Sequence, residues 1–175
     1  MTVLSRAETI QWIEDHGFAP TPNQVPVVDA NEFHLVFMMP NQPCDQLVLA
    51  YDLAEWFGDG EAMLWMTDWP IYSEEMMRIF EGIRNRSGKA GRLIDAPGHL
   101  LSSEQPHQAR AIAELLHCLF AFNWEGFLYA ADRSCTIWVA DYDLVVSTTD
   151  SRQWSLLKPI VEAVGTMTYI PEREA

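Results

Sequence analysis

Apolar positions recur along this chain with two periods, one helical and one alternating. Behind Ser5, Ile10 and Ile13 fall at helical spacing up to His16; Ser5 and Glu8 form a capping box, and Gly17 stands just past the end. The stretch APTPNQVP then interrupts regular structure. From Phe33 to Met39 both alternating sets are largely apolar, the pattern of a strand covered on both faces and ended by Pro40. Leu47, Ala50, Tyr51 and Ala54 suit a helix capped by Asp45 and closed by Gly58, although QLVLAY alone is short enough for a strand. In MLWMTDWPIY, residues 63 to 72, strand periodicity sends Met63, Trp65, Thr67 and Trp69 to one side and Leu64, Met66 and Asp68 to the other. Both sides call for burial, so a central strand is expected, ending at Pro70 with Asp68 near water.

Ser73, Glu74 and Glu75 open a third helix with Met76, Phe80 and Ile83 on its inner face and Arg78, Arg84 and Arg86 toward its C-terminal half, the charge order its dipole favours. SGKAGRLIDAPGHLL reads as loop, with a turn at Pro97-Gly98 that presents His99. Ser103 caps a long helix to about Phe122, with Ile112, Leu115, Leu116 and Leu119 as its apolar face. Three strands follow, at 126–131, 135–140 and 144–148, joined by turns too short for anything but antiparallel pairing. Asp150 caps a last helix carrying Trp154, Leu157, Val161 and Val164, and a strand-like TMTYI precedes a polar tail, 170–175, expected to be disordered. Helices and strands are mixed rather than strictly alternating. The expected class is therefore α+β: one domain over 1–175 with an antiparallel sheet, a C-terminal three-strand meander and about five helices.

Composition sharpens this picture mainly through charge. With 175 residues, 49% hydrophobic and 21% charged, the chain has enough apolar material for one core. Its 25 acids and 11 bases leave a net charge of −14, distributed unevenly. Residues 1–77 carry −12 with Arg6 as the one base, 78–92 carry +4, and 93–175 carry −6. Such a field repels phosphate backbones and anionic lipid, so no nucleic-acid or membrane partner is expected; it attracts basic proteins. Neither a leader-like start nor an apolar run near the roughly 18 residues of a membrane span is visible, which points to a cytoplasmic chain. Cys44, Cys118 and Cys135 show no metal-ligand spacing and read as reduced thiols, mostly buried.

No motif with an assigned chemistry is present, and no cofactor or metal is expected. His107, Arg110, Glu114 and His117 form one stripe of the long helix, and Glu114 with His117 has the E-x-x-H spacing of carboxylate-bridged metal helices. No second helix supplies such a pair to face it, so i,i+3 and i,i+4 charge pairs on a solvated face explain the stripe better. RNRSGKAGR, residues 84–92, is cationic and glycine-bearing but lacks the P-loop pattern; its arginines are expected to neutralise a helix end. Aspartates at 59, 141 and 143 suit turns, and no EF-hand loop accompanies them.

Between Asp29 and Met77 stand six methionines and three tryptophans among acids, without a single Lys or Arg. Periodicity assigns most of them to the core, while an acid-rimmed apolar groove suits a cationic amphipathic partner. The expected function is accordingly a non-enzymatic acidic domain that docks on a basic protein, in the manner of an inhibitor or immunity-type neutraliser, through Asp52, Glu55, Asp59, Glu61, Asp68, Trp69 and Tyr72. The alternative is a small enzyme or metal-binding protein in which His99, His107, Glu114 and His117 converge; a third is an assembly subunit, including a homodimer.

Overall fold

In a computed structural model, the structure describes residues 1–19, 33–71, 73–85, 92–102, 108–140, 142–164 and 168–169. Tyr72, the proposed Ser103 cap, His107 and the tail lie outside them. Eight strands form one sheet: β1 (Thr2–Leu4), β2 (Phe33–Met38), β3 (Ala62–Asp68), β4 (Gly98–Leu101), β5 (Glu125–Ala130), β6 (Cys135–Ala140), β7 (Asp143–Thr148) and β8 (Thr168–Tyr169). Their spatial order is β1-β4-β3-β5-β6-β7-β2-β8, and each neighbouring pair is antiparallel. The helices are α1 (Arg6–Asp15), α2 (Pro43–Phe57), α3 (Glu74–Arg84), α4 (Gln108–Phe122) and α5 (Ser151–Ala163). The fold is α+β, with β5, β6 and β7 as the expected meander.

Local signals explain most of these elements. Ser5 and Glu8 make the reciprocal capping box of α1, Ser73 Oγ accepts from Met76 N at α3, and Asp150 accepts from Arg152 N at α5. Ser134 N donates to Asp132 Oδ1 at 2.9 Å, an Asx turn that, with Arg133 at φ 63°, lets β5 double back into β6. QLVLAY is helical, but its helix begins two residues before Asp45, with Pro43 in the first turn and Gln42 as a cap whose side chain makes no bond. Proline preorganises that first turn, so Asp45 sits inside it and meets the dipole instead of capping the helix.

The two faces of the sheet carry different layers. Leu35, Phe37, Leu64, Met66, Leu128, Ile137, Val139, Leu144 and Val146 join α2, α3, α4 and α5 in the main core. On the reverse face α1 closes a smaller cluster of Ile13, Phe18, Met63, Trp65, Phe127 and Tyr129. β3 runs between β4 and β5 with Ala62 to Met66 all buried, as its two-sided apolar pattern requires. Most of the methionine-rich stretch is interior: Met39, Met63 and Met66 are buried and Met76 and Met77 pack on the main core, leaving Met38 exposed. β2 is less covered than its sequence suggests, since Phe33, His34 and Val36 are only half-buried.

The segment expected to be a loop around His99 is instead strand β4, paired with both β3 and β1. Gly98 is required there, because a Cβ would lie 2.0 Å from Thr9 Oγ1 of α1. Close approach of α1 thus brings GHLL into the sheet, and His99 is fully buried on the main-core side rather than presented by a turn.

Candidate functional site

The residues singled out in the sequence separate in space. α2 is anchored over the sheet by Leu49, Ala50, Leu53, Ala54 and Trp56, all buried, and Asp52 and Glu55 emerge where it faces α5. Trp56 Nε1 donates to Gln153 O at 2.7 Å, which ties the two helices together. Between them runs a groove of about 470 Å³, lined by Asp52, Glu55, Trp56, Leu156, Pro159, Ile160 and Ala163. Leu156, 63% exposed, stands on its α5 wall. Lys158 of α5 is turned to Glu162 at 3.7 Å, and neither Asp52 nor Glu55 forms an ion pair with a described residue.

The other acids do not join this groove. Asp59 lies exposed in the turn after α2. Glu61 accepts from Trp12 Nε1 at 3.2 Å and lies 3.9 Å from His16 Nε2, so it serves α1 on the reverse side. Asp68 is exposed at the far end of β3, about 20 Å from Glu61 at strand rise, opposite Glu125 of β5. A register shift between Met66 and Asp68 marks that end of the strand, and Trp69 beside it packs on the main core.

The histidine and glutamate set is divided as well. Glu114 meets Arg110 at 3.0 Å, the i,i+4 pair expected of a solvated helix stripe. His117 is half-buried on α4, and loss of water lowers its pKa. His99 is sealed in β4, its pKa pushed down to about 3 by burial and then by the nearby Arg84 charge. A general base must take up a proton near neutral pH, and a ring held neutral down to about pH 3 is too weak a base for that. Among the described residues no three His, Cys, Asp or Glu side chains converge in a metal-binding arrangement. The cysteines are free thiols; Cys44 is exposed, and burial raises Cys118 and Cys135 to about 12, well away from the thiolate a nucleophile needs.

Leu156, Pro159, Ile160 and Ala163 were not foreseen as part of any site. Leu156 alone carried a signal, an aliphatic side chain out of register with Trp154, Leu157 and Val161 on the inner face of α5. No family model, curated protein or solved structure matches the chain. None of the described helices is long and apolar enough to cross a membrane.

Proposed function

We propose that this chain is a non-enzymatic docking domain whose α2–α5 groove receives a basic amphipathic segment of a partner protein. The observation that carries the reading is the pairing of an open apolar floor, built from Trp56, Leu156, Pro159, Ile160 and Ala163, with two acids on one rim that lack ion-pair partners among the described residues. A helix with leucines at i, i+3, i+4 and i+7 would lay its apolar side on that floor and bring lysines or arginines to Asp52 and Glu55. The net charge of −14 favours encounter with such a cation. This is the chemistry of an inhibitor or immunity-type neutraliser, which opposes the cationic surface of its target with carboxylates.

The test uses a synthetic helical peptide of leucine and lysine with amphipathic order, alongside a peptide of identical composition in scrambled order. Stopped-flow association should be fast at low salt and slow steeply as ionic strength rises. The D52N/E55Q double variant should associate about tenfold more slowly, and L156K should bind about tenfold more weakly through faster dissociation. Equal binding of the scrambled peptide, or rates indifferent to D52N/E55Q, would sink the reading.

A further inference from the structure

Two polar side chains of the main core lie apart from the groove residues. Arg84, in the last turn of α3, is 1% exposed, and His99 is fully buried beneath that helix in β4. Arg84 Nη2 donates to Ala96 O at 2.6 Å, and its guanidinium carbon lies 5.9 Å from the centre of the Phe80 ring. His99 meets the same ring edge-on at 5.6 Å, and Trp124 closes on Phe80 at 5.0 Å. Arg84 stands in the last turn of α3, where its charge suits the helix dipole as expected, but it is buried and forms no ion pair with a described acid. Phe80, one turn earlier on α3, faces the core, and Arg84 follows it inward.

Hydrogen-bonding capacity around Phe80 is in excess. Nε and Nη1 of Arg84 and both ring nitrogens of His99 have no partner among the described residues. The carbonyls of Leu64 and Pro97 lie close enough to His99 to favour its charged form, but not in hydrogen-bonding geometry. Glu81, one turn back on α3, is exposed; it supports the Arg84 charge from a distance without forming an ion pair. A guanidinium stays charged wherever the protein is folded. Water can satisfy its N–H groups, yet water brings no opposite charge, and buried charges persist when they are paired. A chain with 25 acids places none of its described carboxylates here.

We propose that Arg84 and His99 form a binding site for a small oxyanion, a phosphate or carboxylate group. Arg84 supplies the positive charge and its free N–H donors, His99 supplies a ring N–H, and Phe80 and Trp124 provide an apolar wall. Charged hydrogen bonds of this kind are worth more than neutral ones, and more again away from bulk water.

Thermal unfolding of the full chain tests this with inorganic phosphate and with sodium acetate, each against sodium chloride at equal ionic strength. A ligand that binds the folded state alone raises Tm progressively with its concentration. Tm is expected to climb with phosphate, with acetate or with both, and the effective salt identifies which group the site takes. The R84M variant should lose that response. A wild-type response no greater than that to chloride, the outcome for water alone, overturns the proposal, and so does a response that survives in R84M. Should R84M fail to fold, H99F carries the test: about tenfold weaker phosphate binding by titration calorimetry supports the site, and unchanged binding overturns it.

Discussion

At the scale of single residues, His99 shows most clearly how burial changes chemistry. Its strand partners, Leu64 on β3 and Val3 on β1, are apolar, and Arg84 adds a like charge on the main-core side, so the ring is held neutral with a pKa of about 3. In the unfolded chain the same ring titrates near 6.5. The unfolded state therefore binds more protons between these values, and stability must rise with pH across them. The contribution is fully present above about pH 6.5 and is lost as pH falls toward 3, at up to about 1.4 kcal/mol per unit. Chemical unfolding in chloride buffers from pH 7 to 4 should show this slope, and H99L should flatten it. Identical slopes would mean that His99 is not held neutral. A histidine after Pro97-Gly98 looked like a loop residue because nothing within ten residues reveals the Thr9 contact that forces Gly98 into the sheet.

At the scale of elements, helix ends were the most legible features. The caps at Ser5, Ser73 and Asp150 and the turn at Asp132 depend on contacts within four residues, which the chain order states directly. Short strands were not legible. β1 has three residues and β4 four, and they pair across nearly a hundred positions, so neither has enough length to display a period. The packing of α5 on α2 was hidden for the same reason, being joined through Trp56 Nε1 and Gln153 O. Pro159 already removes one backbone donor from α5, which makes this docking contact matter more. W56F should lower stability by about 1 kcal/mol in urea titrations and speed amide exchange selectively in α5. Uniformly faster exchange across the sheet would argue that Trp56 acts through the core and not as the α2–α5 tie.

At the scale of the whole molecule, net charge governs both stability and encounter. With −14 the folded chain repels itself, and its described ion pairs are mostly exposed pairs within single helices, such as Arg78 with Glu74, which are worth little. Raising sodium chloride from about 10 to 150 mM should therefore raise Tm by a few degrees, while slowing association with a basic peptide. A Tm insensitive to salt would show that the acids lie too far apart to act together. Their placement already limits such cooperation, since Glu61 serves α1, Asp68 occupies the far end of β3, and Asp52 and Glu55 alone share the groove. The amino-acid order by itself determined the α+β class, the meander, the burial of β3 and the excess of negative charge, because periodicity, turn chemistry and composition are local or additive properties. Only the tertiary structure decided that α5 supplies the second wall of the groove, that His99 lies in a strand, and that Arg84 turns inward beside it. Those outcomes depend on contacts between segments far apart in the chain, whose geometry exists only once sheet and helices have packed.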